Sequence, residues 1–189
     1  LIRSIDRVIF VGPNAVPKSL AVSSTGTVAV GGTYGTSLLV NGMTMPSLGN
    51  ASLGGTNAFA LEFDGTSGAL VSGWRIGGRY EDAGGFVTYD ASDRLVVGAT
   101  IRDSGSIGGQ TLGGNQFKGE AVLIRFNASH QVDAVLRFPS TYVTEMNAVV
   151  RYGAGVAMVG NYAGLPSFAN FPELHGVVGA DFVGVVDGN

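Results

Sequence analysis

The sequence predicts an all-β chain built from repeated four-stranded antiparallel units. Three observations predict it. Short apolar runs, alternating or continuous, recur between turns rich in Gly, Asp, Asn and Ser. No segment carries a sustained helical period with caps. The runs also repeat: TVAVGG at residues 27–32 matches RLVVGA at 94–99 and VAMVGN at 156–161, offsets of 67 and 62. A second anchor, FALEFD at 59–64, matches VLIRFN at 122–127 and FVGVVD at 182–187, offsets of 63 and 60.

Taken in order, the chain opens with RVIFVG at residues 7–12, which reads as the last strand of a preceding unit and sets a boundary of 1–16. Residues 17–82 form the first repeat and contain the stretch NAFALEFDGTSGALVSGWRIGG, two apolar runs around a Gly-rich turn. Residues 83–145 form the second, with strands GFVTYD, RLVVGATI, AVLIRFN and VDAVLRF. Its joints are ASD, the long RDSGSIGGQTLGGNQFKG and NASHQ. Residues 146–189 form a third repeat, incomplete after its third strand. Four-stranded units at a fixed period predict the blades of a β-propeller, here a segment of about three blades within a larger ring, because propellers usually close with roughly 4–8. Open strand edges predict that this piece alone associates or aggregates, and that the remaining blades of a longer chain or another copy cover it.

The run at residues 59–100, FALEFDGTSGALVSGWRIGGRYEDAGGFVTYDASDRLVVGAT, resembles the SBBP-type β-propeller repeat. That repeat carries a DAFVAKLD..G strand, a Trp strand ending in Gly-Gly and a D..GNVYVTG hairpin. The matching residues are Asn57, Ala58, Phe59, Asp64 and Gly68, then Trp74, Gly77 and Gly78, then Asp90, Leu95, Val97 and Gly98. LLVNGMTM at 38–45 and SIGGQTL at 106–112 are similar to the repeat's FGG..L stretch. The third repeat lacks the Gly-Gly exit, and Trp74 has no counterpart in the second. The resemblance implies the propeller fold; its motifs are structural and imply no chemistry.

Composition narrows function. With 31 Gly, 45% apolar residues and no Gly-X-Y period, the chain is a packed, turn-rich domain and not a collagen. Only 13% of residues are charged and the net charge is -3, so the clustered Lys and Arg of a nucleic-acid surface are missing. No Cys is present, which removes disulfides, thiolate metal sites and Cys nucleophiles. No apolar run reaches the length of a membrane helix, and membrane insertion is not expected.

The long connections fall at one end of the blades, where a rigid scaffold would present a site. The richest cluster is RIGGRYEDAGG, with Arg75, Arg79, Tyr80, Glu81 and Asp82 as candidate binding residues; the equivalent connection of the second repeat adds Tyr142 and Glu145. Arg and Tyr beside carboxylates suit a sugar or a peptide, and a carboxylate pair suits glycosidic chemistry. The competing expectation is a solvated loop with a blade-to-blade ion pair. Neither HExxH nor a GxSxG elbow occurs, His130 and His175 lie far apart, and DGTSG and DASD lack a 12-residue calcium pattern. No catalytic residue, metal site or cofactor is therefore assigned. Two sequons, at Asn50 and Asn127, are candidate glycosylation sites. Together these features predict a non-enzymatic structural or adhesive segment of a larger extracellular or cell-surface assembly protein, with protein partners and glycans as ligands. The alternative is a carbohydrate-active propeller enzyme or a carbohydrate-binding lectin.

Overall fold

The computed structural model describes residues 12, 14–41, 43–46, 55–78, 81–102, 105–107, 110–112, 119–138, 143–163 and 180–187. They are all-β, with no helix among them. Three antiparallel sheets follow one another along the chain. The first contains β1 (Ala15–Val22), β2 (Thr27–Tyr34), β5 (Asn57–Asp64) and β6 (Leu70–Ile76), paired in that order. The short hairpin β3 (Ser37–Val40) and β4 (Met43–Pro46) lies between β2 and β5. The second sheet is β7 (Ala83–Tyr89), β8 (Leu95–Arg102), β11 (Gly119–Phe126) and β12 (Val132–Phe138), with β9 (Gly105–Ile107) and β10 (Gln110–Leu112) as its inserted hairpin. The third is β13 (Val143–Tyr152), β14 (Gly155–Ala163) and β15 (Ala180–Val186). The strands read in the second repeat correspond to β7, β8, β11 and β12. The expected strand RVIFVG lies almost wholly outside the described residues.

The sheets stack face to face as propeller blades. β7 packs on β1, β2 and β5, and β13 packs on β7, β8 and β11. Between the first two sheets the core contains Ala58, Ala60 and Ile76 from one side and Val87, Tyr89, Val97 and Phe126 from the other. Between the second and third it contains Leu123, Phe138, Met146, Val149 and Phe182. The inserted hairpins close the outer flanks: Leu38 and Val40 cover Leu61 and Phe63, while Ile107 and Leu112 join the first interface.

Each first strand carries a bulge near its start, between Pro17 and Ser19, Gly84 and Phe86, and Met146 and Ala148. The pairing corrects one detail of the sequence alignment. Phe59 pairs with Gly32, Val122 with Ala99 and Phe182 with Gly160, so Gly160 is the equivalent of Gly32 and not of Gly31. The cause is steric: at Gly32 and at Gly160 a side chain would strike the Phe ring across the ladder, at 2.9 and 2.6 Å.

Three turns at the opposite end share one geometry. In Ser23–Thr27, Asp90–Arg94 and Asn127–Gln131 the first residue's N–H donates to the fifth residue's carbonyl at 2.9, 3.0 and 2.9 Å. The fourth residue is left-handed in each: Gly26, Asp93 and His130, with φ of 88°, 55° and 58°. Ser23, Asp90 and Asn127 fit the first position because their side-chain oxygens accept backbone N–H groups inside the turn. Asp64 does the same in the DGTSG turn, accepting from Thr66 and Ser67.

In two of these three turns the left-handed residue is not Gly, and there it reaches the neighbouring sheet. Asp93 accepts from the amide and hydroxyl of Ser24 in the first sheet's turn, which holds its carboxyl below the usual carboxylate range. His130 reaches Glu62. Uncommon backbone conformations are thus placed where turns of one sheet dock on the next.

Candidate functional site

At the long-loop end, the connection between β6 and β7 turns inward. Asp82 is fully buried. Its Oδ2 accepts from the Gly78 amide at 2.6 Å and its Oδ1 from the Arg102 amide, at the end of β8, at 2.7 Å. Its backbone N–H donates to the Thr56 carbonyl at 2.7 Å, and Thr56 Oγ1 donates to the Asp82 carbonyl at 2.8 Å. Gly77, with φ 143°, makes room, since a Cβ there would overlap the Asp82 carboxylate. One carboxylate therefore ties the exit of the first blade to the second strand of the next. Arg75 lies near enough to Tyr34 to influence it electrostatically: burial pushes the Tyr34 hydroxyl up to about 12, opposed by Arg75 and reinforced by Asp82.

The sequence grouped Glu81 with Asp82, but the two part ways: Glu81 is exposed and Asp82 faces the interior. Glu145, on β13, forms an ion pair with Arg102 at 3.0 Å, joining the second and third sheets. Arg79, Tyr80, Tyr142 and Asn50 lie outside the described residues. Asn127 sits in the β11–β12 turn with its Oδ1 accepting from Ser129 and Gln131 at 2.9 and 3.0 Å.

This geometry makes Asp82 a stability residue. Asp82→Asn keeps one acceptor but turns an amide NH2 toward a backbone N–H, leaving a buried donor unsatisfied. The expected loss is about 2–3 kcal/mol, against within about 0.5 kcal/mol for Glu81→Gln, measured by urea unfolding.

A second polar cluster, unforeseen from the sequence, lies across the first two sheets. Glu62 on β5 is buried and accepts from Tyr89 Oη at 2.8 Å and Ser72 Oγ at 2.8 Å; its Oε2 lies 2.9 Å from His130 Nδ1. Trp74 Nε1 donates to the His130 carbonyl at 3.3 Å, and the Trp74 ring stacks on Phe126 with centroids 4.1 Å apart. Serine, histidine and glutamate here invite comparison with a hydrolase triad, but the geometry opposes it. Ser72 Oγ and Glu62 both approach the same nitrogen, His130 Nδ1, at 3.2 and 2.9 Å. A relay needs the acid on one ring nitrogen and the nucleophile on the other. The cluster instead clamps two blades.

The clamp has a pH signature. Burial and then the hydrogen bond to Glu62 raise the Tyr89 hydroxyl well above its ordinary 10.0, and Tyr34 rises to about 12. A tyrosine raised in the folded state ionises first in the unfolded chain. Its contribution is thus complete below pH 10.0 and lost as pH climbs beyond it. We expect melting temperature to be level up to about pH 9 and to fall steeply above about pH 10, with a shallower fall in Tyr89→Phe.

Between the second and third sheets, a cleft lined by Arg125, Ala134, Leu136, Val156, Val186 and Asp187 occupies the corresponding place. The first interface fills it with Trp74, opposite Ala60; the second has Leu136, opposite Leu123, and Val186 stands where Phe126 does. Smaller side chains leave the space open. No group of three or more His, Asp or Glu side chains that could hold a metal occurs among the described residues. No helix among them is long and apolar enough to cross a membrane.

Glu62, Ser72 and Tyr89, which the sequence did not single out, and His130, which it weighed only as a metal ligand, come from four separate runs and share no motif. The one available signal was His130 at a turn position that favours Gly. No family model matches this chain, and no curated protein matches it.

Proposed function

We propose that this chain is a non-enzymatic structural or adhesive β-propeller segment of a larger extracellular or cell-surface assembly, built on SBBP-like repeats. One observation carries the reading: its best-placed carboxylates are consumed inside the fold, while exposed large apolar side chains collect on the end faces of the stack. Asp82 and Glu62 are buried and saturated by donors of the same chain. The exposed apolar residues include Leu20 and Val22 on β1 and Val150, Tyr152, Val183 and Val185 on the third sheet. A scaffold that spends polar groups on rigidity and leaves apolar faces open is suited to assembly. Low charge and the sequons at Asn50 and Asn127 support an extracellular setting.

Two measurements test this. Incubated with a panel of polysaccharides, the native protein is expected to release no reducing ends; hydrolysis lost specifically in Glu81→Gln or Asp82→Asn would replace the reading with a carbohydrate-active enzyme. Protease shaving of intact source cells is expected to remove the protein, and complete protection would refute the surface location.

A further inference from the structure

We propose that the cleft between the second and third sheets is a binding site for an aromatic side chain, the indole of a tryptophan presented by a protein partner. The source of that tryptophan rests on the assembly reading above, whereas the site itself rests on the geometry of the cleft.

The chain itself shows what the place is shaped for. Trp74 pairs with Ala60 in the first sheet, and Leu136 pairs with Leu123 at the same position of the second. In the first interface the Trp74 ring lies against Phe126 of the next sheet, with centroids 4.1 Å apart, and its Nε1 donates to the His130 carbonyl at 3.3 Å. In the second interface Leu136 takes the place of Trp74. Val186 takes that of Phe126, the two standing at equal distances along the chain from the aligned residues Phe182 and Val122. The ring and its stacking partner are thus both replaced by smaller side chains. Their neighbours change too: Ser72 pairs with Glu62, but Ala134 pairs with Arg125, so a methyl and a guanidinium stand where the clamp has a hydroxyl and a carboxylate.

Size and lining fit a ring held by one edge. The cleft encloses about 80 Å³, roughly half of the about 150 Å³ that takes up a whole benzene ring. A ring therefore enters part-way and keeps its outer edge in solvent. The chain uses the equivalent place in the same manner, since Trp74 is itself only partly buried. Leu123, Leu136, Val156 and Val186 give the cleft apolar walls. Arg125, whose Nε donates to Asp133 Oδ2 at 2.8 Å, adds a planar cation that attracts the face of an electron-rich ring. Asp187 is exposed and adds a carboxylate able to accept an indole N–H. An aliphatic side chain would leave both polar groups unused, and a charged one would lose its water against the apolar walls. An indole brings a flat apolar body, an electron-rich face and one donor. So small a burial holds a free molecule only at about the millimolar level, and tighter binding needs a carrier chain that adds contacts around the mouth. Leu136, 42% exposed, offers such a contact.

The test is methyl NMR of the 189-residue chain, titrated with the end-blocked tripeptides Gly-Trp-Gly and Gly-Leu-Gly and with free tryptophan. Gly-Trp-Gly is expected to shift the methyls of Leu123, Leu136, Val156 and Val186 saturably, with a dissociation constant of about 1 mM or below, and to leave those of the exposed Val71 on β6 unmoved. Gly-Leu-Gly should bind about tenfold more weakly or worse. Leu136→Trp and Val186→Phe, which restore the side chains of the first interface, should each fill the cleft and weaken Gly-Trp-Gly by about tenfold or more. Val186→Phe carries this arm if Leu136→Trp does not fold. The absence of saturable shifts at the cleft, equal binding of Gly-Leu-Gly, or binding unchanged in Val186→Phe would each overturn the site. Free tryptophan binding more tightly than the tripeptide would make the cleft a small-molecule site and overturn the protein partner. The assembly reading stands or falls separately, by protease shaving of intact cells.

Discussion

Gly31→Val is expected to leave a chain whose first two blades no longer stack. Gly31 lies on β2 where the sheet meets the β7 bulge, and a Cβ there would overlap the carbonyl oxygen of Gly85 and stand 2.7 Å from both its carbon and Val87 Cγ1. The obstacle is backbone, which no rotamer change relieves. Gly85 cannot retreat cheaply: its φ is 73°, and its own Cβ position lies 2.5 Å from the Gly32 nitrogen. Ser19 further pins the two strands, accepting from the Val87 amide at 2.7 Å and donating to the Gly85 carbonyl at 3.2 Å. Ordinary overpacking costs about 1–3 kcal/mol, and relief here requires opening a sheet-on-sheet contact, so the loss should exceed about 4 kcal/mol. Gly26→Ala is the control: its φ is 88° but nothing lies within 4 Å, so only backbone strain of about 1 kcal/mol is at stake. Gly31→Val melting within a few degrees of the parent protein would show that the close approach is not what holds the blades.

The strands were legible in the sequence because their cause is local. Period-2 patterns such as VLIRFN and turns such as DASD record burial on a pleated sheet and backbone conformation, both written into neighbouring residues. The one-residue displacement of the third repeat was not legible, since it depends on a bulge and on the Phe182 ring facing Gly160. The candidate site was partly legible. Glu145 does bridge two blades through Arg102, as a blade-to-blade ion pair would. Asp82 was placed in the right loop, but the fact that it points inward depends on the Gly77 conformation and on the Arg102 amide, 20 residues away. Glu62 and His130 stand 68 residues apart and Glu62 and Tyr89 stand 27 apart, joined only by the stacking of sheets. Repeats reveal what each blade has in common, whereas the clamp is specific to one interface: Ser72 and Trp74 pair with Glu62 and Ala60, where the next blade has Ala134 and Leu136.

That asymmetry sets up the second large effect, in Phe126→Ala. Phe126 is buried at the end of β11 against Trp74, and Trp74 is the sole tryptophan of the chain. Removing the ring deletes a large core side chain and an aromatic pair together, for an expected loss of about 3–5 kcal/mol. Against a typical total stability of about 5–15 kcal/mol, this moves the protein close to its unfolding threshold. The consequence should be local before it is global. Trp74 loses its stacking partner, and its hydrogen bond to the His130 carbonyl weakens as the turn is released, so native-state emission should shift to the red. Phe138→Ala removes a ring of the same size from the core between the second and third sheets. It should lower stability by a comparable amount and leave the native emission of Trp74 unchanged. The pair of variants separates a blade-specific clamp from a general loss of core. Equal emission shifts in both would mean that the interfaces do not respond independently, and an unshifted Phe126→Ala would mean that the Trp74 stack contributes little to the contact between the first two blades.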